Sequence, residues 1–259
     1  MESCSRQLPA PGLERGVRVL RLLEDGREAT LEQLARATGY PKSSLLRLLM
    51  TLGAMGLTAR DEASKRYFAR ERLIPLRHAD ADLPARLDTA LAALSACLGS
   101  TAEWWVPARG GMVLIKRSEP PAGGAQVLAR PGFERPWDHE FEAVVCVGAA
   151  WHDEAPQRPG PKSYIFVADG VARRLSRAEF ARRIALARQA GWAEDAHFNH
   201  NGVRRAACAV LHNDRFMGAL AVAQCYRPGA DSGGASVLQT LIQQAQPLCS
   251  HSSFHFQTK

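Results

Sequence analysis

Four side chains that can recognise nucleic acid lie within six residues of one another, at Lys42, Ser43, Ser44 and Arg47. Hydroxyl and guanidinium groups can hydrogen-bond to the edges of bases, and an ammonium group can pair with phosphate. If this run is helical, the set lies near the outward side of the helix's first turns. A helix that presents small polar and basic groups there is suited to the major groove of DNA.

The surrounding sequence, 30–52, predicts two short helices joined by a tight turn. Thr30 and Gln33 have the spacing of a capping box, in which each side chain satisfies a free amide at the start of a helix. Gly39 favours the left-handed conformation that ends a helix, and Pro41 suits the first position of the next one. A buried stripe is predicted for this second helix at Leu45, Leu48, Leu49 and Leu52. The pattern is that of a helix-turn-helix.

The flanking segments predict a complete small domain. Upstream, an amphipathic helix is marked by Leu13, Val17, Leu20 and Leu23 or Glu24. Downstream, residues 57–60 and 66–69 read as two strands around a polar turn, which predicts a wing whose Lys65 and Arg66 meet phosphates. A packing hairpin of helices and a solvated β-hairpin remain the alternatives.

The run 13–76 resembles the winged helix-turn-helix of the IclR family of bacterial transcriptional regulators. The resemblance lies in Gly39-Tyr40-Pro41-Lys42-Ser43-Ser44 and in Arg47-Leu48-Leu49, among other matches. It implies that the DNA contacts come from Tyr40, Pro41, Lys42, Ser43, Ser44, Leu46, Arg47, Lys65 and Arg66. Leu46 departs from the family, which often has His or Tyr there. A leucine can touch a thymine methyl group but cannot donate a hydrogen bond to a base.

Composition agrees with two domains in a soluble regulator. The chain has 259 residues, 46% of them hydrophobic, and a formal charge of +7. Residues 1–77 hold 14 Lys and Arg against 9 Asp and Glu, whereas the remainder holds 19 against 17, which fits phosphate contact by the first domain. There is no membrane-length apolar run or signal peptide, and six scattered cysteines indicate reduced thiols, so we expect a cytoplasmic protein.

Residues 78–259 are predicted to form a linker followed by an α+β domain for effector binding and oligomerisation. The linker, about 70–81, contains Pro75, so its helix should be short or kinked. The predicted helices are 82–98, 176–190 and 236–248. The predicted strands are 101–108, 112–117, 164–168, 192–198, 205–212 and 217–225. Residues 118–137 read as a loop, and 141–151 is ambiguous between helix and strand.

This second part is similar to the family's GAF-like effector domain, most closely over 176–222. Arg188 to Ala193, Asp195 and Gly202-Val203 follow the family pattern, but polar positions that help to hold a small carboxylate in the family read Arg205, Ala221 and Ala223 here. The more apolar pocket that this implies favours an aromatic or longer-chain acid. The candidate effector residues are Trp104, Trp137, His139, Phe141, Asp195, Arg205, Ala221 and Ala223. Core packing is the alternative for each tryptophan, and exposure on the surface is the alternative for Arg205.

Other chemistry receives little support. His197, His200 and His212 lack a recognised metal spacing. A nucleophile in Cys146 or Cys208 would define a thiol-dependent enzyme or redox sensor, but no motif supports its geometry. We therefore expect no enzyme, no metal and no cofactor.

The sequence thus predicts a ligand-responsive transcriptional regulator. Because one recognition helix spans only a few base pairs, a homodimer or homotetramer should bind a two-fold symmetric operator in double-stranded DNA. A small-molecule effector should change how the sensing domains hold the two DNA-binding domains. The main alternative is a DNA-binding regulator with a degenerate pocket that binds no effector.

Overall fold

A computed structural model describes residues 9–23, 28–70, 82–120, 127, 129–167, 170–226, 234–250 and 256. The chain divides into two compact units, Met1–Pro75 and Leu76–Lys259. The expected linker helix and the domain boundary after residue 77 fall in 71–81, outside the described residues. That boundary therefore stays a prediction.

The described residues of the first unit form three helices and a two-stranded hairpin. Its elements are α1 (Pro11–Leu23), α2 (Leu31–Thr38), α3 (Lys42–Ala54), β1 (Thr58–Arg60) and β2 (Tyr67–Ala69). Helix α3 packs against both other helices. The shared core consists of Val19, Leu20, Leu23, Leu34, Leu45, Leu49, Leu52 and Tyr67. The expected leucine stripe is buried except that Leu48 is only half-buried, and Glu24 lies outside the described residues.

Local capping chemistry sets the helix-turn-helix geometry. The Thr30 hydroxyl accepts a hydrogen bond from the Gln33 amide (3.3 Å), and the Gln33 side chain accepts one from the Thr30 amide (2.9 Å), which completes the capping box. Gly39 ends α2 with φ of 73°, a conformation that costs glycine little. Pro41 precedes α3 as its N-cap because its backbone is extended, so the helix begins one residue later than predicted.

The hairpin is tied to the helices by backbone bonds. Strand β1 pairs with β2 in antiparallel register, with Arg60 opposite Tyr67. The amide and carbonyl of Ala29 exchange hydrogen bonds with Tyr67 (3.0 and 2.8 Å, respectively), which joins the segment before α2 to β2. In the turn, Asp61 accepts a hydrogen bond from the Ser64 amide. The wing thus has a fixed position on its unit.

The second unit is built on a six-stranded antiparallel sheet in the order β5-β4-β3-β10-β9-β8. The strands are β3 (Thr101–Ala108), β4 (Gly111–Ser118), β5 (Glu134–Pro136), β8 (Trp192–Glu194), β9 (Val203–His212) and β10 (Arg215–Cys225). A separate hairpin joins β6 (Tyr164–Phe166) to β7 (Ala172–Arg174). The helices are α4 (Leu83–Leu98), α5 (Ala143–Trp151), α6 (Arg177–Ala190) and α7 (Gly234–Ala245), with a 3₁₀ turn at Gln246–Leu248.

The two faces of this sheet carry different helices. Helices α4 and α7 contact each other and the sheet, whereas α5 packs on the sheet with α6 beside it. Trp105 and Ala219 share a core with α5, so their neighbours Trp104 and Leu220 point to the other face. The predicted α+β fold class is confirmed.

Several local predictions were wrong in extent. Strand β5 interrupts the predicted loop, and β8 ends at Glu194 rather than residue 198. The segment 141–151, which the sequence left open between helix and strand, is helical from Ala143. Strand β7 was not predicted. Ser176 caps α6 by accepting a hydrogen bond from the Glu179 amide, and the Glu179 side chain binds Arg182 and Arg183. No helix that the structure describes is long and apolar enough to cross a membrane.

Candidate functional site

The predicted DNA-reading residues form an open surface on α3. Lys42, Ser43, Leu46 and Arg47 are exposed, and Ser44 is half-buried. Lys42 lies 3.9 Å from the exposed Glu32, a loose ion pair that contributes little to stability. Among the described residues, no carboxylate pairs with Arg47. The start of α3 therefore presents a guanidinium, hydroxyls and an apolar side chain to solvent.

Tyr40 has a second role in the turn. The guanidinium groups of Arg15 and Arg18 lie 5.5 and 6.0 Å from the centre of its ring. These cation–π contacts hold α1 against the turn and bring two further cations close to the start of α3. Neither arginine was among the predicted DNA-binding residues, although their three-residue spacing on α1 places them on one side of that helix.

The two cations of the wing are less available for phosphate contact than predicted. Lys65 pairs with Glu62 (3.0 Å), and the hydrogen bond from Lys65 lowers the pKa of Glu62. Arg66 donates a hydrogen bond to the Glu28 carbonyl (3.2 Å). Both predicted wing cations thus have partners within the protein, although Lys65 remains exposed.

In the second unit, Arg205 is buried in an ion-pair network. Its Nε lies 2.8 Å from Glu103, and its Nη1 lies 2.8 Å from Glu142. Glu103 also accepts a hydrogen bond from Trp105 Nε1 (2.9 Å). Arg204 is the neighbour that faces away, since its Nε donates to Gln224 (3.0 Å). The alternative that Arg205 lies on the surface is wrong, and its charge is already matched by two carboxylates.

A second arginine extends the network. Arg135 Nε lies 2.9 Å from Glu142 Oε1, and Arg135 Nη1 donates to Glu140 Oε2 (3.1 Å). The other oxygen of Glu140 accepts a hydrogen bond from Asn199 (3.1 Å). We call the cluster of Glu103, Arg135, Glu140, Glu142 and Arg205 the arginine–carboxylate network.

Asp195 joins this network to the backbone. Its two carboxylate oxygens accept hydrogen bonds from the amides of Ala143 and Arg205, both at 2.8 Å. Burial and the nearby Glu142 raise the pKa of Asp195 to about 7. Burial also raises the pKa of Glu142, against the opposing effect of Arg205 and Arg135. Asp195 therefore holds the first turn of α5 to β9.

The structure separates the other predicted effector residues. Ala221 lies opposite Glu103 and Ala207, and Ala223 lies opposite Thr101 and Arg205, so both alanines share the face of the network. Trp104 is on the opposite face of the sheet. The network thus lies beside the two alanines and away from Trp104.

Three further candidates have partners of their own. Trp137 donates to the Arg109 carbonyl (3.1 Å) and stacks on His152. Phe141 packs in the core against Phe180, with ring centres 4.9 Å apart. His139 is exposed and contacts Asp138 at 2.9 Å. For Trp137, the structure therefore agrees with the alternative of core packing.

A cavity of about 740 Å³ opens beside the network. Its apolar wall is formed by Val127, Ala129, Pro131, Phe133 and Val203, and its polar wall includes Arg130, Arg135, Asn199, Asn201 and Arg205. Arg205 is the one predicted effector residue on this wall. The lining residues between Val127 and Arg135 were missed because 118–137 read as a loop, where alternation gives no signal.

The first unit matches a known protein family in sequence. The model of the IclR helix-turn-helix domain matches residues 12–62, which span α1 to the start of the wing turn. Residues 12–62 therefore form an IclR-type helix-turn-helix domain. No curated protein matches it in sequence.

Solved structures extend the likeness to the second unit. The IclR regulator from Alicyclobacillus acidocaldarius is 24% identical, with 93% of this chain and 96% of that one covered and a TM-score of 0.56. A putative IclR regulator from Silicibacter sp. TM1040 is 20% identical, with coverage of 92% and 94% and a TM-score of 0.64. At these identities the likeness establishes the fold.

A third structure contains a ligand. It is an IclR homologue from Microbacterium hydrocarbonoxydans, complexed with 4-hydroxybenzoate, and it is 17% identical with a TM-score of 0.55. The alignment covers 92% of this chain and 97% of the homologue.

The structure gives thiol chemistry little support. Burial raises the pKa of the Cys146 thiol to about 12, and it raises that of Cys208 as well. Because the thiolate is the reactive form, both groups are poor nucleophiles at neutral pH. The described residues include no group of three or more His, Cys, Asp or Glu that could hold a metal ion.

Proposed function

We propose that this IclR-type regulator binds an operator of two-fold symmetry in double-stranded DNA, as a homodimer or homotetramer in the cytoplasm. Residues 1–77 make the DNA contacts, and residues 78–259 supply the linker, the effector site and the assembly surface. The observation that carries the proposal is the exposed, basic start of α3, within the segment that matches the family's helix-turn-helix. Two copies of α3 on one duplex multiply the contacts that a single short helix makes.

The proposed effector is a small aromatic or fairly apolar acid that enters the cavity beside the network. Apolar walls that include Phe133 suit a ring, and Arg130 and Arg135 suit a carboxylate. Arg130 is exposed, and no described carboxylate pairs with it. The homologue bound to 4-hydroxybenzoate supports this ligand class by analogy. The proposed site includes Arg205, one of the effector residues that the sequence predicted.

Operator binding is tested by fluorescence anisotropy with duplexes from the protein's own promoter and neighbouring intergenic regions, against random duplex, at two salt concentrations. We expect one fragment to bind tightly, with strong salt dependence, and to resist competitor. Binding equal to random DNA, together with an empty genome-wide selection for bound fragments, would reject sequence-specific regulation.

Effector binding is tested by thermal shift with 4-hydroxybenzoate and related acids, followed by operator binding at saturating ligand. A ligand that binds the folded protein raises its melting temperature. Coupling requires a change in operator affinity or footprint, because a ligand shifts an equilibrium only through differential binding. Unchanged operator affinity and footprint at saturating ligand would show that effector binding and operator binding are not coupled.

One observation favours the alternative of a regulator with no effector. The arginine–carboxylate network fills the sheet face beside Ala221 and Ala223 with the protein's own side chains. Constitutive DNA binding, with no stabilising compound in a metabolite panel, would support this reading.

A further inference from the structure

Arg135 differs from Arg205 in how completely its charge is satisfied. Arg205 makes hydrogen bonds to Glu103 through two nitrogens and to Glu142 through the third. Arg135 makes one well-formed hydrogen bond, from Nη1 to Glu140. Its side chain is 17% exposed, against 1% for Arg205. Arg135 is thus the accessible arginine of the network.

The contact between Arg135 and Glu142 is close but badly aligned. Nε and Oε1 lie 2.9 Å apart, yet among the described residues neither of these two buried atoms has a hydrogen-bond partner. A buried polar group without a hydrogen bond costs free energy. An acceptor that met Arg135 in better geometry would therefore compete well with Glu142.

The cavity provides a place for that acceptor. Arg135 lines it, and its guanidinium lies 5.0 Å from the centre of the Phe133 ring, which also borders the cavity. Stacking on an aromatic ring fixes the plane of a guanidinium, so its N–H groups point in set directions. A carboxylate can take two parallel hydrogen bonds from such a group.

Arg135 also connects the cavity to α5. Glu142 is the residue immediately before that helix, and it makes no side-chain capping bond there. Glu140 is held by Asn199, which lines the same cavity. A change at Arg135 therefore reaches the start of α5 through one side chain.

We propose that Arg135 binds the carboxylate of the effector and, in doing so, leaves Glu142, so that ligand binding is read at the start of α5. This proposal rests on the proposed function, because it names the residue that recognises the acid. The bound acid replaces a strained internal partner with a well-aligned external one. Arg205 keeps its own carboxylates and acts as a fixed wall.

The experiment compares an acid with its uncharged analogue in the full-length protein. Titration calorimetry with 4-hydroxybenzoate and 4-hydroxybenzamide is carried out on the natural protein, Arg135→Gln and Arg174→Gln. Arg174 is an exposed arginine on β7 and is the matched control. We expect the natural protein and Arg174→Gln to bind the acid at least tenfold more tightly than the amide, and Arg135→Gln to lose this preference. A merely structural role for Arg135 would weaken both ligands alike and leave the ratio intact.

Each outcome separates this inference from the proposed function. A preference for the acid that survives in Arg135→Gln overturns the role of Arg135 but leaves the ligand class standing. If the natural protein shows no preference, the ligand class fails and the inference fails with it. If Arg135→Gln does not fold, Arg135→Lys replaces it, because a lysine keeps the charge without the paired N–H groups. We expect Arg135→Lys to retain an intermediate preference, and a ratio equal to that of the natural protein would overturn the proposal.

A second readout tests the link to α5. Hydrogen exchange of the amides in the first turn of α5 should change on addition of 4-hydroxybenzoate in the natural protein and not in Arg135→Gln at ligand saturation. Unchanged exchange in the natural protein at saturation would limit Arg135 to binding.

Discussion

Exposed side chains near the start of α3 are of two chemical kinds. Ser43 can donate hydrogen bonds to base edges or accept them, and Arg47 can donate them. Leu46 and Met50, one helical turn apart, are 42% and 66% exposed. Apolar groups on a DNA-facing helix match the methyl groups of thymine. The half-site should therefore combine a guanine opposite Arg47 with thymines opposite Leu46.

Arg47→Ala tests base reading. If the guanidinium bonds a guanine, the variant should lose about 1–3 kcal/mol of operator affinity and tolerate other bases at that position. Competition binding with operators mutated one base pair at a time measures both effects. Arg173→Ala, an exposed change of equal charge on β7, is the control. Unaltered discrimination would remove Arg47 from the base-reading residues.

Lys65→Ala tests phosphate contact by the wing. Binding to all duplexes should weaken alike, with a flatter dependence on salt, since a phosphate contact carries no sequence information. Glu62→Gln is the matched partner, because it frees Lys65 from its 3.0 Å ion pair and should strengthen binding to any duplex. Affinities at several salt concentrations decide, and a sequence-dependent effect of Lys65→Ala would contradict the role.

Among the helices, α2 is so short that its stability depends on its N-terminal cap. With eight residues it has little helical stability of its own, and the Thr30–Gln33 box supplies two hydrogen bonds at its start. The same helix holds α3 in place through Leu34. Loss of the cap therefore bears on the DNA-binding surface.

Thr30→Ala should destabilise the first unit by about 1 kcal/mol, the usual cost of losing a threonine cap. Hydrogen exchange resolved by segment is the measurement, and faster exchange should appear in α2 and α3. Ser176→Ala, which removes the cap of α6, is the counterpart and should affect the second unit instead. Uniform loss of protection across both units would argue against a local effect.

Local signals explain why these elements were predictable. Caps and helical periodicity depend only on residues close together in sequence, so the bounds of α1, α2, α3 and α6 were predicted closely. Strand β5 lies in a segment that read as a loop, and the three residues of β7 are all exposed, so neither shows the alternation of a half-buried strand. The network was not predictable, because Glu103 and Arg205 are 102 positions apart in sequence and meet only through the register of the sheet. The cavity depends on the same register.

At the scale of the whole second unit, buried acids outnumber buried bases in and around the network. Glu103, Glu140, Glu142 and Asp195 face two arginines, Arg135 and Arg205. Burial is the main cause that raises the pKa of Glu142 and that of Asp195, and repulsion from neighbouring carboxylates adds to it. The unit therefore holds protons more tightly when folded.

Stability should consequently fall as the pH rises towards neutrality. The pKa of Asp195 is about 7 in the folded protein against 3.8 for the unperturbed group, so folding takes up a proton between these values. Its contribution is full at the acid end of this window and is lost as the pH passes about 7, by at most about 1.4 kcal/mol per pH unit for one group. Asp195→Asn should flatten this dependence in thermal unfolding between pH 5.5 and 8.5. An equal slope in both proteins would assign the effect to other groups.

The mutual pairing of Arg205, Glu103 and Glu142 also constrains how this protein can evolve. Loss of one partner strands a buried charge at a cost of about 3–5 kcal/mol, whereas joint replacement by apolar residues of similar volume is tolerated. Each single substitution thus passes through an unfit intermediate. Descendants of this protein should keep the three residues together or replace them together. Reconstructed ancestral sequences should show the order in which such replacements occurred.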